Sequence, residues 1–346
     1  MFTKDQLRVP VSALAVLVLI VGLGEIPASA QYAVTNLVAS QAGKAKFQDA
    51  DLINAWGIAY APGGALGVAN AGSGLATFYS AQGVKQSVVI TVPAASSKHH
   101  GTPTGIVYNG TTDFQVTEGG KSGPAKFIFD TIDGTISGWN ASVNSKNAIV
   151  VVNNSGSASY TGLAIGVYKS HNYIYAANHT ENAIEMYDDS FNLVKSFTDP
   201  NLPTGSGPFN VQNINGRLYV AYTIPKVGGA VDIFGLGGNL IKTLVAGSSV
   251  LSGPWGLALA PKNFGPASGA LLVGNLNNGR IIAFNATTGQ LIGPLMDTNG
   301  KIIVESQLWA TTFGGGAGKD GKTNQLFFAA GPNNEKAGLF GVISFK

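Results

Sequence analysis

Cysteine is absent from the 346 residues, so no disulfide scaffold, thiolate metal site or cysteine nucleophile is available. Histidine is scarce at 4 residues, and charged side chains make up only 11% of the chain, under half of the usual ~25%. The formal net charge of +3 is too small at this length to leave the basic footprint of a nucleic-acid partner. A disordered polyelectrolyte is excluded as well. Disorder needs low hydrophobicity with high net charge, and here 45% of residues are hydrophobic. Beyond the first thirty residues no apolar run approaches the ~20 residues of a membrane-spanning helix, and no segment of useful length carries the helical period.

Glycine is what the chain has in excess, with 47 residues, about twice the usual ~7%. Residues 1–30 read as a secretory signal. Lys4 and Arg8 precede an apolar stretch over 11–24, and Ala28-Ser29-Ala30 supplies the small-residue cleavage site in the expected order. About fourteen apolar residues at ~1.5 Å each fall short of the ~30 Å hydrocarbon core. Cleavage before Gln31 is therefore expected, leaving 31–346 as one domain outside the cytoplasm, secreted or periplasmic. It is expected to be a monomer without membrane insertion, stabilised by packing alone because ~300 residues bury about three quarters of their surface.

The remainder repeats one motif six times, at intervals of about fifty residues, a period typical of propellers and arrays. The anchors are Trp56-Gly57-Ile58-Ala59, Thr104-Gly105-Ile106-Val107, Thr161-Gly162-Leu163-Ala164, Phe209-Asn210-Val211, Trp255-Gly256-Leu257-Ala258 and Trp309-Ala310. After each anchor comes an apolar run, at 65–70, 125–130, 173–178, 217–222, 270–275 and 326–331. Third and fourth runs follow after turns rich in Gly and Asn. Short segments rich in Val, Ile, Phe and Tyr between such turns are strands, and four strands in each of six units describe an all-β, six-bladed β-propeller. The sixth unit ends after 339–345 with no fourth strand, while 32–38 is otherwise unassigned. Pairing the two closes the ring and removes an open edge.

Antiparallel alternation places the loop into each first strand and the turn between the second and third strands on one face. That face is expected to collect Asn54, Trp56 and Trp255 with the ends of the second strands, Asn70, Asp130, Asn178, Tyr222 and Asn275. Asn70, Asp130, Asn178 and Asn275 form a set of oxygen donors of the kind that holds a hard cation such as Ca2+. The competing role for these asparagines is turn chemistry at strand ends. In unit two, 113–118 competes for the second strand, and Glu118 then replaces Asp130. His99, His100 and His179 lie near the same opening, and imidazole is the usual general base. The tryptophans are expected to pack between blades. Asn109-Gly110-Thr111, Asn140-Ala141-Ser142, Asn178-His179-Thr180 and Asn285-Ala286-Thr287 match the glycosylation pattern. No Gly-x-Ser-x-Gly elbow or His-Glu-x-x-His motif is present.

Trp56-Gly57-Ile58-Ala59, the run 101–107, the run 133–140, Pro254-Trp255-Gly256-Leu257-Ala258 and Ala330-Gly331-Pro332-Asn333 together resemble a family of uncharacterised secreted bacterial proteins. Some members of that family carry a sorting anchor of the PEP-CTERM type. More distantly, the blade pattern is similar to NHL-repeat propellers and to the gluconolactonase and regucalcin group, which bind a divalent cation in the central channel. That resemblance implies Asn178, Asn275 and Asp130 as ligands with Asn70 as a further donor. The Glu expected in the first leading loop is replaced by Asn54-Ala55-Trp56. Two functions follow as expectations. The first is an exported, non-enzymatic propeller presenting its Asn- and aromatic-lined face to a protein or glycan. The second is a calcium-dependent lactonase or esterase-type hydrolase, with the cation as Lewis acid and His99, His100 or His179 as base.

Overall fold

The computed structural model describes residues 32–96 and 100–346. The expected signal segment and His99 lie outside the described residues.

Six blades of four antiparallel strands follow one another along the chain, the last extended at its outer edge by the two-residue strand Phe47–Gln48, which runs parallel to its neighbour. Blade 1 runs from Ala55–Tyr60 to Lys85–Thr91, blade 2 from Pro103–Tyr108 to Ile149–Asn153, and blade 3 from Tyr160–Tyr168 to Leu193–Phe197. Blade 4 runs from Gly207–Ile214 to Leu240–Ser248, and blade 5 from Pro254–Leu259 to Leu291–Pro294. Blade 6 has Leu308–Phe313, Gln325–Ala330 and Leu339–Phe345, completed by Tyr32–Ala39 from the start of the chain. The closing pair is in continuous antiparallel register from Tyr32↔Phe345 to Ala39↔Leu339, with one bulge after Asn36. Tyr32 also donates its hydroxyl to Phe264 O at 2.7 Å, tying the closing strand to blade 5. The single helical turn among the described residues is the 3-10 segment Gly265–Ala267.

The glycine of the repeated anchor has a steric reason. First strands of successive blades touch around the ring, with blade 6 meeting blade 1. A Cβ on Gly57 would strike Thr104 O of blade 2, one on Gly105 would strike Leu163 N of blade 3, and one on Gly256 would strike Trp309 O of blade 6. Glycine therefore permits the close backbone approach that keeps the axis narrow. Blade 4 has Asn210 at this position, and its Nδ2 donates to Trp255 O at 2.8 Å.

Both faces of every blade pack against neighbouring blades, and the core is a series of seams between them. The seam of blades 3 and 4, for example, joins Tyr175, Ile184 and Met186 to Val211, Val220 and Phe234. In blade 2 the second strand is Phe127–Thr131, paired with the first and third strands. The alternative segment forms a separate hairpin instead, Gln115–Glu118 with Lys121–Pro124. Glu118 therefore does not take the place of Asp130; it is exposed and accepts a bond from Asn144 Nδ2. Val116, buried among Ile128, Ile136 and Phe191, anchors the hairpin as an insertion rather than a blade strand.

Candidate functional site

Where the leading ends of the first strands converge, three tryptophans fill the axis. Trp56 and Trp309 stack with centroids 3.4 Å apart, Trp255 stands edge-on to both at 6.2 Å, and Phe209 meets Trp309 at 5.7 Å. All three indoles are buried. Trp255 Nε1 donates to Thr161 O at 2.7 Å, a bond from blade 5 across to blade 3. The channel is thereby closed at its leading-loop end. Near the other ends of the first strands is a vestibule of about 340 Å³, with Tyr60, Tyr108, Ile165 and Asn213 in its wall.

Beside this aromatic plug the backbone is strained. Asn54, Gln307, Asn333, Asn334 and Glu335 have φ of 49°, 55°, 61°, 52° and 64°. The left-handed region costs a non-glycine residue about 1–2 kcal/mol, and such strain persists only where the surroundings over-determine it, often at ligand sites. Here the determinants are explicit. Trp309 Nε1 donates to Asn54 Oδ1 at 3.0 Å, and Asn54 Nδ2 donates to Glu335 Oε2 at 3.0 Å. Glu335 N donates to Gln307 Oε1 and to Gly331 O. A Cβ on Gly331 would collide with Asn54 Oδ1, so this corner requires glycine there.

From the corner a groove of about 450 Å³ extends between blades 5 and 6, lined by Asn277, Asn278, Ser306, Gln307, Asn334 and Glu335. Amide side chains carry donors and acceptors together. Asn278 Oδ1 is used on Arg280 N, while Asn277 and Asn334 border the groove. Glu305, between two lining residues, is half-buried, and burial pushes its carboxyl up to about 7.

The strand-end donors expected around the opening lie beside the leading ends of the first strands, with Asn70 opposite Ala55, Asn178 opposite Tyr160 and Asn275 opposite Pro254, and they are engaged within the protein. Because each sheet stands edge-on to the axis, side chains alternate into the two flanking seams, and only first strands and loops reach the channel. Asn70, Asp130, Asn178, Tyr222 and Asn275 are all buried. Asn70 Nδ2 donates to Thr77 Oγ1 at 2.9 Å, and Asn275 holds Val250 O and Ser252 N of its own leading loop. Asn178 Nδ2 donates to Glu185 Oε1 at 2.7 Å, and Asn178 and Glu185 share a polar pocket of about 340 Å³ with Glu181. Asp130 is one residue out of step, since Thr131 occupies the register position equivalent to Asn178. Its Oδ1 accepts from Thr104 Oγ1 and Gly105 N, and burial pushes its carboxyl up to about 6. Among the described residues no group of three or more His, Asp or Glu is placed to hold a metal.

The structure brings Trp56, Trp255 and Asn54 together and disperses the rest. His100 is exposed, with its Cβ against Gly74 of blade 1. His179 is exposed beside the plug, its Nδ1 3.2 Å from Pro208 O and its ring 6.0 Å from Phe209. The groove residues Asn277, Asn278, Gln307, Asn334 and Glu335 were not legible as a group. The nearest signal is Pro332-Asn333-Asn334, where asparagines that tolerate the left-handed region follow a proline.

A ring of six four-stranded blades, closed by its own first strand and plugged by indoles, defines a six-bladed β-propeller. The chain belongs to the family of "Uncharacterized protein R648" of Acanthamoeba polyphaga mimivirus, with 30% identity over 330 residues that cover 89% of this chain and 78% of that protein. A further uncharacterized protein of the same virus is 29% identical over 298 residues, covering 80% and 77%. These relatives are viral and lend no support to the bacterial affiliation or sorting anchor that the sequence resemblance implied. No family model matches. In fold the chain is similar to a streptogramin B lyase, with TM-score 0.54, 12% identity, and 92% and 98% of the two chains covered. It is also similar to the PQQ-bound aldose sugar dehydrogenase of Streptomyces coelicolor, with TM-score 0.56, 14% identity, and 92% and 99% covered. At such identity the likeness is one of fold, which does not by itself transfer activity.

Proposed function

We propose that the protein is an exported, non-enzymatic binding propeller whose leading-loop face takes a carbohydrate chain in the groove between blades 5 and 6. One observation carries this reading. Two of the three loops that line the groove present their polar side chains, Gln307, Asn334 and Glu335, on backbone held in a costly left-handed conformation by a bonded network that runs through Asn54 to Trp309. Such pre-organisation lowers the ordering cost of binding. Amides and a carboxylate suit the alternating donors and acceptors of sugar hydroxyls, and the volume of about 450 Å³ lies within the ordinary range for ligand clefts. The resemblance of residues 1–30 to a secretory signal supports export, and extracytoplasmic surfaces are where glycans are met.

The test is a glycan array followed by calorimetry on each hit, with Asn277→Ala and Asn334→Ala alongside the parent chain. Loss of binding in both variants, with unchanged circular dichroism, supports the reading. Hits that bind the variants as tightly as the parent, or an array with no hits beside capture of a protein ligand, overturn it.

A further inference from the structure

The strongest anomaly lies away from this groove. Among the described residues, 13 buried side-chain N or O atoms lack a hydrogen-bond partner, and five of them belong to Thr198, Ser206, Tyr222 and Asp232, in blade 4 and the linker that enters it. Asp232 and Tyr222 are both 0% exposed, and both oxygens of Asp232 are among the five.

Blade 3 shows what this position ordinarily looks like. There Glu185 opposes Ala176, as Asp232 opposes Val220 in blade 4. Glu185 accepts bonds from Asn178 Nδ2, Tyr160 OH and Tyr187 OH. In blade 4 the strand-end asparagine is replaced by Tyr222, and the carboxylate loses the amide donor and both tyrosine donors, keeping only the Thr243 hydroxyl opposite it in the ladder. Tyr222 and Asp232 project from one face of the blade because their ladder partners alternate in step. Asp199 lies beside Asp232 on the linker side, with the Thr243 hydroxyl on the neighbouring strand, and the Tyr222 hydroxyl lies near both carboxyls with Thr198 next to it. One oxygen of Asp199 takes the backbone and side-chain N–H of Asn201. The ion pairs found among the described residues are those of Lys85 with Asp49 and Asp51, so neither Asp199 nor Asp232 has a cationic side chain beside it.

Two acceptor-only groups side by side in a buried seam are costly unless something positive lies between them. The hydroxyls of Tyr222, Thr198 and Thr243 can each give one proton, but none of them carries positive charge to offset two adjacent carboxylates. We propose that the seam between blades 3 and 4 binds a hard divalent cation of the Ca2+ class, held by the carboxylates of Asp232 and Asp199 with hydroxyl oxygens from Tyr222 and Thr198. An all-oxygen set with two carboxylates is the donor chemistry such ions take. The buried Tyr222 hydroxyl is what distinguishes this cluster from an ordinary acidic patch. Since Asp199 and Thr198 sit on the linker into blade 4, the ion would fasten that linker to the blade and stiffen the seam.

The test uses the full chain, stripped with EDTA and exchanged into chelator-free buffer. Calorimetry with Ca2+ is expected to show one equivalent bound, and melting at a hundredfold excess over Kd should rise by at least about 3 °C by mass action. Asp232→Asn and Asp199→Asn should each lose the shift, while Glu185→Gln, the blade 3 counterpart, should keep it. Tyr222→Phe should weaken Ca2+ binding and reduce tyrosine-sensitised emission from Tb3+ used as a probe. The proposal falls if neither Ca2+ nor Mg2+ moves the melt, or if the shift survives in both Asp variants with the fold intact.

Discussion

Replacing Trp255 by Ala tests the closed axis directly. The indole is 5% exposed, makes edge contacts with both other tryptophans of the plug, and donates across the axis to Thr161 O. A buried tryptophan removes about 150–250 Å² from water, worth roughly 4–6 kcal/mol at about 25 cal/mol per Å². Denatured-state compactness trims that, and measured Trp→Ala losses are about 3–5 kcal/mol. The cross-axis bond adds about 1 kcal/mol, and more if the carbonyl is left unpaired. Trp255→Ala is therefore expected to cost about 4–5 kcal/mol in urea unfolding followed by circular dichroism. Trp255→Phe keeps most ring contacts and loses the bond, for about 1–3 kcal/mol. Trp139 is the control: it is buried in blade 2, and its Nε1 has no partner among the described residues, so Trp139→Phe should cost less than Trp255→Phe. A loss under about 1.5 kcal/mol for Trp255→Ala, or equal losses for both phenylalanine variants, would refute the plug as a structural keystone.

Two further perturbations address the groove. At Asn334, with φ 52°, Gly should leave stability unchanged or raise it by up to about 1 kcal/mol, and Ala should lower it by about 1 kcal/mol. A destabilising Asn334→Gly shows the corner to be unstrained. Glu305 keeps its proton in the fold up to about pH 7, whereas the unfolded chain releases it near ~4.3. The folded state thus binds more protons across that window, and stability falls as pH rises through it. Unscreened, such a shift would be worth about 3.7 kcal/mol, and partial solvent screening at this half-buried site leaves about 1–2 kcal/mol. Asp130 slopes the same way, so it is the difference from Glu305→Gln that reports Glu305. Equal pH profiles for parent and variant would remove Glu305 as the cause.

How far the sequence carries the fold is visible in individual residues. The anchors mark the first strands because the close approach at Gly57, Gly105, Gly162 and Gly256 imposes glycine at the same place in four of the six blades, Asn210 and Ala310 standing there in blades 4 and 6. The closing pair of Tyr32–Ala39 with Leu339–Phe345 follows from counting strands, since a ring cannot leave a blade one strand short. What escaped was the branch in blade 2, where two consecutive segments both have strand composition. The deciding factor is tertiary: Phe127 and Phe129 find Tyr108 and Ile106 opposite them, while Val116 is taken up by Phe191 of the next blade.

The candidate site was less legible for a related reason. A strand-end asparagine reads the same whether its amide faces a channel or a seam. Asn70 and Asn275 sit at the expected end of their strands, yet they bond Thr77 and the Val250 carbonyl. The glycosylation pattern meets the same ambiguity: Asn109, Asn140 and Asn178 are buried, and Asn285 is exposed. A repeat constrains what every blade must share, such as a turn between strands or an apolar seam. Binding requires what one blade does not share with the others. The groove is made by the run of left-handed residues after Pro332, and the proposed cation seat by the exchange of a strand-end asparagine for Tyr222 beside Asp232. In a propeller of this kind, function is to be sought where one blade departs from its siblings at an equivalent register position, and those departures become readable once the register is known.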